Sequence, residues 1–181
     1  RALRGLSRAP WVASISVDAK VRCSQTTPDP TMLYGGMMAA LGVPQMPQGA
    51  TPIGVAVIDS GIQVSAELPR ERITKFIDFT QGPTGVEVEP YDDYGHGTHV
   101  AGLVGGSGDL SGGAYPGVAP NVNFIGLKVL DATGGGSTSD VLRAIEYAIA
   151  NQAALDIRVI NLSLGHPILE AAETDPLVQA V

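Results

Sequence analysis

Cysteine is nearly absent: Cys23 stands alone in 181 residues. One thiol excludes an intrachain disulfide and a cysteine-based zinc site, and beside a segment junction it reads as an ordinary thiol. Long apolar runs are missing as well, none nearing the roughly 18–20 residues that span a bilayer. The opening RALRGLSRAP places no apolar stretch after its charges and so lacks the pattern of a secretory signal. Aromatics make up 5% against a hydrophobic content of 44%, so a core has to come from Val, Ile, Leu and Ala. Positive charge is the scarcer sign. A net charge of −7 argues against nucleic acid or an anionic membrane as partner. What positive charge there is sits at one end. Residues 1–22 hold Arg1, Arg4, Arg8, Lys20 and Arg22 against Asp18, a net of +4, and the remainder carries −11. A basic leader on an acidic body suggests two segments of different origin.

What is present has the pattern of one α/β domain. WVASISVDAKVR (11–22) alternates apolar and polar residues as a strand does, and the Thr/Pro-rich CSQTTPDPTM reads as a linker. Tyr34 to Leu41 is a short helix candidate closed by Gly42 and Pro44. IGVAVID (53–59) is a continuous apolar run ending in an acid, the form of a buried parallel strand that delivers a polar group at its carboxyl end. RITKFIDF (72–79), NVNFIGLKVL (121–130) and IRVINLSL (157–164) are further strand candidates, the last expected to be buried. HVAGLVGG, from His96 to about Gly105, has helical spacing diluted by glycine. A helix is expected over 137–154, where Val141, Leu142, Ile145, Ala148 and Ile149 form one stripe. Ser137 with Asp140 has capping-box spacing, with Asp in place of Glu or Gln. The final PILEAAETDPLVQAV begins another helical pattern. Alternating strands and helices predict a three-layer, mainly parallel, doubly wound sheet, with function at the carboxyl ends of its strands.

Two of the three histidines lie in DDYGHGTHVAG (92–102). A zinc pair of the HEXXH type needs four-residue spacing and an intervening Glu. Here His96 and His99 are three apart, separated by Gly and Thr, and no third ligand is evident. Taken singly, Asp59 reads as a cap for the Ser60-Gly61 turn and His96 as a local hydrogen-bonding residue. Gly134-Gly135-Gly136, taken singly, reads as a flexible loop.

Taken together, GVAVIDSGI, DDYGHGTHVAG and VINLSLG resemble, in order, three signature segments of the subtilisin-like serine proteases. The resemblance covers Gly54 to Gly165 and implies the subtilisin-like α/β fold. It implies Asp59 as the acid of a catalytic triad and His96 as its general base, with His99 as a structural neighbour. It further implies a polypeptide substrate lying as an added strand between Gly134-Gly135-Gly136 and Ser163-Leu164-Gly165. Thr138 and Val141 would then line a pocket for a substrate side chain. WVASISVDAKVR is similar to the last strand of the inhibitory propeptide of such proteases, so the protein's own propeptide is an implied partner. The domain reading is therefore residues 1–25 as the propeptide end and junction, 26–50 as a linker, and 51–181 as the N-terminal part of the catalytic domain. Secretion is implied by resemblance alone. So is calcium, with no legible ligands; Asp109, in GGSGDLSGGAYPG, reads first as part of a glycine-rich surface turn.

The sequence departs from the family in one respect. No Gly-Thr-Ser-Met-Ala-like nucleophile segment occurs in it. Asn161 belongs to the VINLSLG strand and is no oxyanion-hole residue, and NLSLG is no nucleophile elbow for Ser163. The expectation is a fragment with an incomplete sheet, inactive and poorly soluble by itself. The competing class is a non-catalytic peptide-binding or inhibitory module on the same fold.

Overall fold

The computed structural model describes residues 18–23 and 51–181. The helix expected over 34–41 and the linker of 26–50 lie outside these residues, as does most of the 11–22 strand. A five-stranded sheet forms the centre, in the order β4-β3-β5-β2-β7. Its strands are β2 (Gly54–Asp59), β3 (Ile73–Asp78), β4 (Val86–Glu87), β5 (Asn123–Lys128) and β7 (Ile157–Leu162). β3, β5, β2 and β7 run parallel, and β4 is an antiparallel edge. Among the described residues three α-helices accompany it: α1 (His96–Gly105), α2 (Thr138–Ala150) and the short α3 (Pro176–Ala180).

The alternation of β2 builds the layers. Val55 and Val57 face a cluster that includes Ile73, Phe76 and Phe124 and is covered by Val100 and Ala101 of α1. Ala56 and Ile58 face the opposite cluster, covered by Val141, Ala144, Ile145 and Ala148 of α2. Each fully buried Val or Ile contributes about 1.5–3 kcal/mol, so both faces of β2 hold their helices firmly. α1 leads the chain back to β5 on one face, and α2 leads from β5 to β7 on the other. The crossovers part beside β2, so the topological switch point lies at the carboxyl ends of β2 and β5. The architecture is the expected three-layer α/β one.

Several boundaries shift for local reasons. The helix expected over 137–154 ends at Ala150, where Asn151 turns its side-chain amide onto Tyr147 O at 2.8 Å. The chain then turns through Asp156, whose φ is +47°. The run 157–164 is divided: β7 pairs with β2 through Leu162, and Leu164–Gly165 forms β8 with a different partner. Nor is β7 fully buried, since it is an edge strand among the described residues, with Val159 and Ile160 exposed at 49% and 36%.

The glycine segment is not a plain loop. Gly135–Ser137 forms β6, and β1 (Lys20–Cys23) lies between β6 and β8, antiparallel to both. Arg22 is aligned with Gly135 on one side and with Gly165 on the other. Residues 20–23 thus complete a three-stranded sheet at the carboxyl end of the central one.

Candidate active site

β2 carries its apolar run through the core and ends at Asp59, which is fully buried. α1 begins at His96, just after Gly95 in a left-handed conformation at φ +99°. His96 Nδ1 lies 2.7 Å from Asp59 Oδ1. The same oxygen accepts the backbone N–H of Ser60 at 2.7 Å. Burial pushes the Asp59 carboxyl above its ordinary pKa, while the His96 hydrogen bond pulls the other way. Such close approach requires Gly97: a Cβ there would meet Gly61 O at 2.2 Å and Asp59 Cβ at 3.1 Å. Gly97 therefore does what its type predicts, letting helix and strand end touch.

Residues to which the sequence alone assigned no such role hold this pair in place. Gly95 has no side chain with which to cap α1, so the helix takes its caps from elsewhere. Gly97 N donates to Ser60 Oγ at 2.9 Å, and Thr98 N donates to Asp92 Oδ2 at 2.8 Å. Asp92 also accepts from Ser60 Oγ, Tyr94 N, Gly95 N and Thr98 Oγ1. Burial raises the Asp92 pKa, but these donors outweigh it, and the net shift is downward. Lys128, aligned with Asp59 across the sheet, is only 1% exposed. Its ammonium donates to Ser60 O and Asp93 Oδ1 at 2.6 Å and to Leu130 O at 2.7 Å, using all three protons. It also lies 5.1 Å from the centre of the Tyr91 ring. Tyr91 in turn donates to Asp78 at 2.6 Å, and its hydroxyl pKa is pushed up to about 12 by burial and by that carboxylate. Signals for two of these were readable: Asp92 stands just ahead of a helix start, and Lys128 is the lone charge in an apolar strand.

The proposed rails lie on either side of β1. Val21, fully buried, is aligned with Gly136, where an added Cβ would meet Val21 Cγ2 at 3.1 Å and Val129 O at 2.3 Å. The missing side chain is what admits Val21. Val141 belongs to the same buried cluster as Val21. Thr138 is buried, and its N–H and its hydroxyl both donate to Ala19 O, at 2.9 and 3.0 Å. Gly134, at φ +73°, packs on the ring of Tyr94, two residues before His96. Leu164 is aligned with Cys23, and Ser163, just outside β8, donates to Asn161 Oδ1 at 2.9 Å. Because β1 is antiparallel to both neighbours, its carboxyl end heads toward Gly134 and Ser163. Those lie beside Tyr94 and just past Leu162, which is aligned with Ile58. The groove therefore opens onto Asp59 and His96. His99 is exposed and does not join them.

No group of three or more His, Cys, Asp or Glu able to hold a metal ion occurs among the described residues. In the loop around Asp109, Glu67 supplies the anchoring carboxylate, and its oxygens accept Gly108 N at 2.6 Å and Leu110 N at 2.8 Å. Nor is any helix of the described residues long and apolar enough to cross a membrane.

Residues 51–180 match the subtilase family, peptidase S8. "Serine protease AprX" of Bacillus subtilis is 42% identical over 134 residues, covering 71% of this chain and 29% of the relative. "Thermostable alkaline protease" of Halalkalibacterium halodurans is 36% identical over 166 residues, covering 90% of this chain and 40% of the relative. An alignment of that length extends ahead of residue 51 into the leader. Among solved structures, "Sphericase" superposes with a TM-score of 0.63 at 29% identity, over 80% of this chain and 46% of that one. The chain thus spans 29–46% of the length of these three proteins.

Proposed function

The chain belongs to the subtilase family, and from that membership we propose that it forms the Asp–His part of a serine endopeptidase acting on polypeptides. The observation that carries this is the 2.7 Å contact between His96 Nδ1 and the fully buried Asp59. A serine hydroxyl becomes an effective nucleophile only when an imidazole takes its proton, and the same imidazole later protonates the leaving amine. Asp59 bonded at Nδ1 holds the ring in the tautomer that presents Nε2 for that exchange, and stabilises the imidazolium when it forms. No Gly-Thr-Ser-Met-Ala-like segment that would supply such a serine occurs in these 181 residues.

The groove supplies the second half of the reading. A substrate would add as an antiparallel strand between Gly134-Gly135-Gly136 and Ser163-Leu164-Gly165, held by backbone pairing and by one side chain on Gly136. The leader already lies there in that manner, which supports residues 1–25 as the protein's own propeptide and as an inhibitor of the groove. By the same resemblance the protease acts outside the cell.

The test is made in the whole protease. His96→Ala should lower kcat by about 10⁶-fold, the scale given by loss of the triad histidine in subtilisin itself, with KM little changed. Retained turnover would refute the assignment. The occupied groove also favours a peptide-binding use of the fold without catalysis. Sequence beyond Val181 separates the two: a Gly-Thr-Ser segment supports the protease, and a stop codon supports the binding module.

A further inference from the structure

A second histidine–carboxylate pair lies behind the other rail. β8 ends at Gly165, and His166 follows it directly. Farther along, Asp175 caps α3: its Oδ1 accepts Leu177 N at 2.9 Å and Val178 N at 3.3 Å. His166 Nε2 lies 3.4 Å from the other oxygen, Asp175 Oδ2, and the two side chains are only 10% and 9% exposed. His166 Nδ1 lies 2.8 Å from Pro167 O. A carbonyl oxygen only accepts, so Nδ1 carries a proton. In a neutral ring of that tautomer, Nε2 aims a lone pair at a carboxylate oxygen; in an imidazolium it donates to it. The contact favours the charged ring. It ties the end of β8 to α3, and Leu164 and Leu177 of these two elements pack on the same cluster as Val21 and Val141. The other charged groups on the elements around the pair are Arg22 on β1, exposed and aligned with Gly165, Glu170 and Glu173 on the intervening loop, and Glu146 with the paired Asp140 and Arg143 on α2.

We propose that His166 is a positioning residue for the peptide groove: as an imidazolium it holds the Ser163-Leu164-Gly165 rail against α3, and loss of its proton loosens the rail. The groove therefore grips an added strand more tightly on the acid side of the window, about pH 5 to 8, in which a histidine changes charge. This rests on the groove reading above and gives that groove a pH dependence separate from that of His96. An amide in place of Asp175 reverses the sign. Asn caps a helix as well as Asp does, but its NH₂ donates to the lone pair of a neutral Nε2 and opposes the N–H of an imidazolium.

The first arm of the test uses the 181-residue chain. Amide hydrogen exchange of Leu164, Gly165 and Leu177 to Gln179 is measured at about pH 5.5 and about pH 8, corrected for intrinsic rates, with β2 as internal reference. Protection of these amides should fall about tenfold at the higher pH, the scale of one hydrogen bond to a charged group, while β2 holds. His166→Gln should show no such fall, and in Asp175→Asn protection should rise with pH. Nitrogen NMR of the neutral His166 ring should place its proton on Nδ1. An equal fall in the parent and His166→Gln, a fall in Asp175→Asn, or a neutral ring protonated on Nε2 overturns the proposal. The second arm follows KM for a peptide substrate in the whole protease over the same range. KM should rise roughly threefold with pH in the parent, part of the worth of that bond, and should fall in Asp175→Asn; the acid limb of kcat reads His96. If exchange changes as expected but KM does not follow, His166 does not position the peptide, and the proposal falls while the Asp–His reading stands. If instead His96→Ala retains turnover, the protease reading falls, and the exchange arm alone decides for or against His166.

Discussion

Asp59 is a carboxylate kept where a carboxylate is costly. Burial raises its pKa above 3.8 in the folded state, so folding favours the protonated form. Its contribution to stability is fully present below the unfolded value and is lost as pH rises through the folded one. Asp59→Asn should therefore unfold at higher urea than the parent at pH 7, with the gap closing as pH falls below about 4; a gap independent of pH would refute this. Lys128 has the opposite balance, because its buried charge meets three acceptors. Lys128→Met should destabilise by about 3 kcal/mol in urea unfolding, since it orphans two carbonyls and removes the tie to Asp93. At this scale the sequence was informative about identity and silent about support. Asp59 and His96 are visible from the segments around them. The bonds Ser60–Asp92, Lys128–Asp93, Gly97–Ser60 and Lys128–Ser60 join residues 32 to 68 positions apart, and no local pattern encodes such pairings.

Among the elements, α2 was the most legible, because its apolar stripe and its Ser137 cap are both short-range features. Ser137→Ala should cost about 1 kcal/mol, read as a lowered urea midpoint. The cap differs from a capping box in one detail: Asp140 reaches the Ser137 hydroxyl at 2.7 Å, its side chain being one methylene shorter than the expected Glu. β6 was the least legible element. Its glycines carry no strand signal, and it becomes a strand only because β1 pairs with it. Gly136→Val tests that dependence. The new side chain would occupy the space of Val21, so amide exchange of the leader strand should rise steeply while β2 and β5 stay protected. Leader exchange equal to the parent's would show that Gly136 does not gate the groove.

On the scale of the whole molecule, the two halves of the Asp–His relay are anchored in adjacent layers of one core, through β2 and α1. The 181 residues should hydrolyse no peptide at an enzyme-like rate, checked with purified protein and a fluorogenic peptide, because loss of the serine costs about 10⁶ in kcat in subtilisin. Turnover abolished by a serine-directed inhibitor would overturn this. The alternation of β2 and the stripe of α2 determined the α/β layers from sequence alone, since burial periodicity is a local property. The order of three signature segments likewise determined the family and its two candidate residues. Three things were decided only by tertiary structure: the leader's place in the groove, Thr138 as a backbone clamp, and the exposed edge of β7. Each depends on which strands become neighbours. Backbone pairing uses groups common to every residue, so the sequence of either partner leaves that choice open.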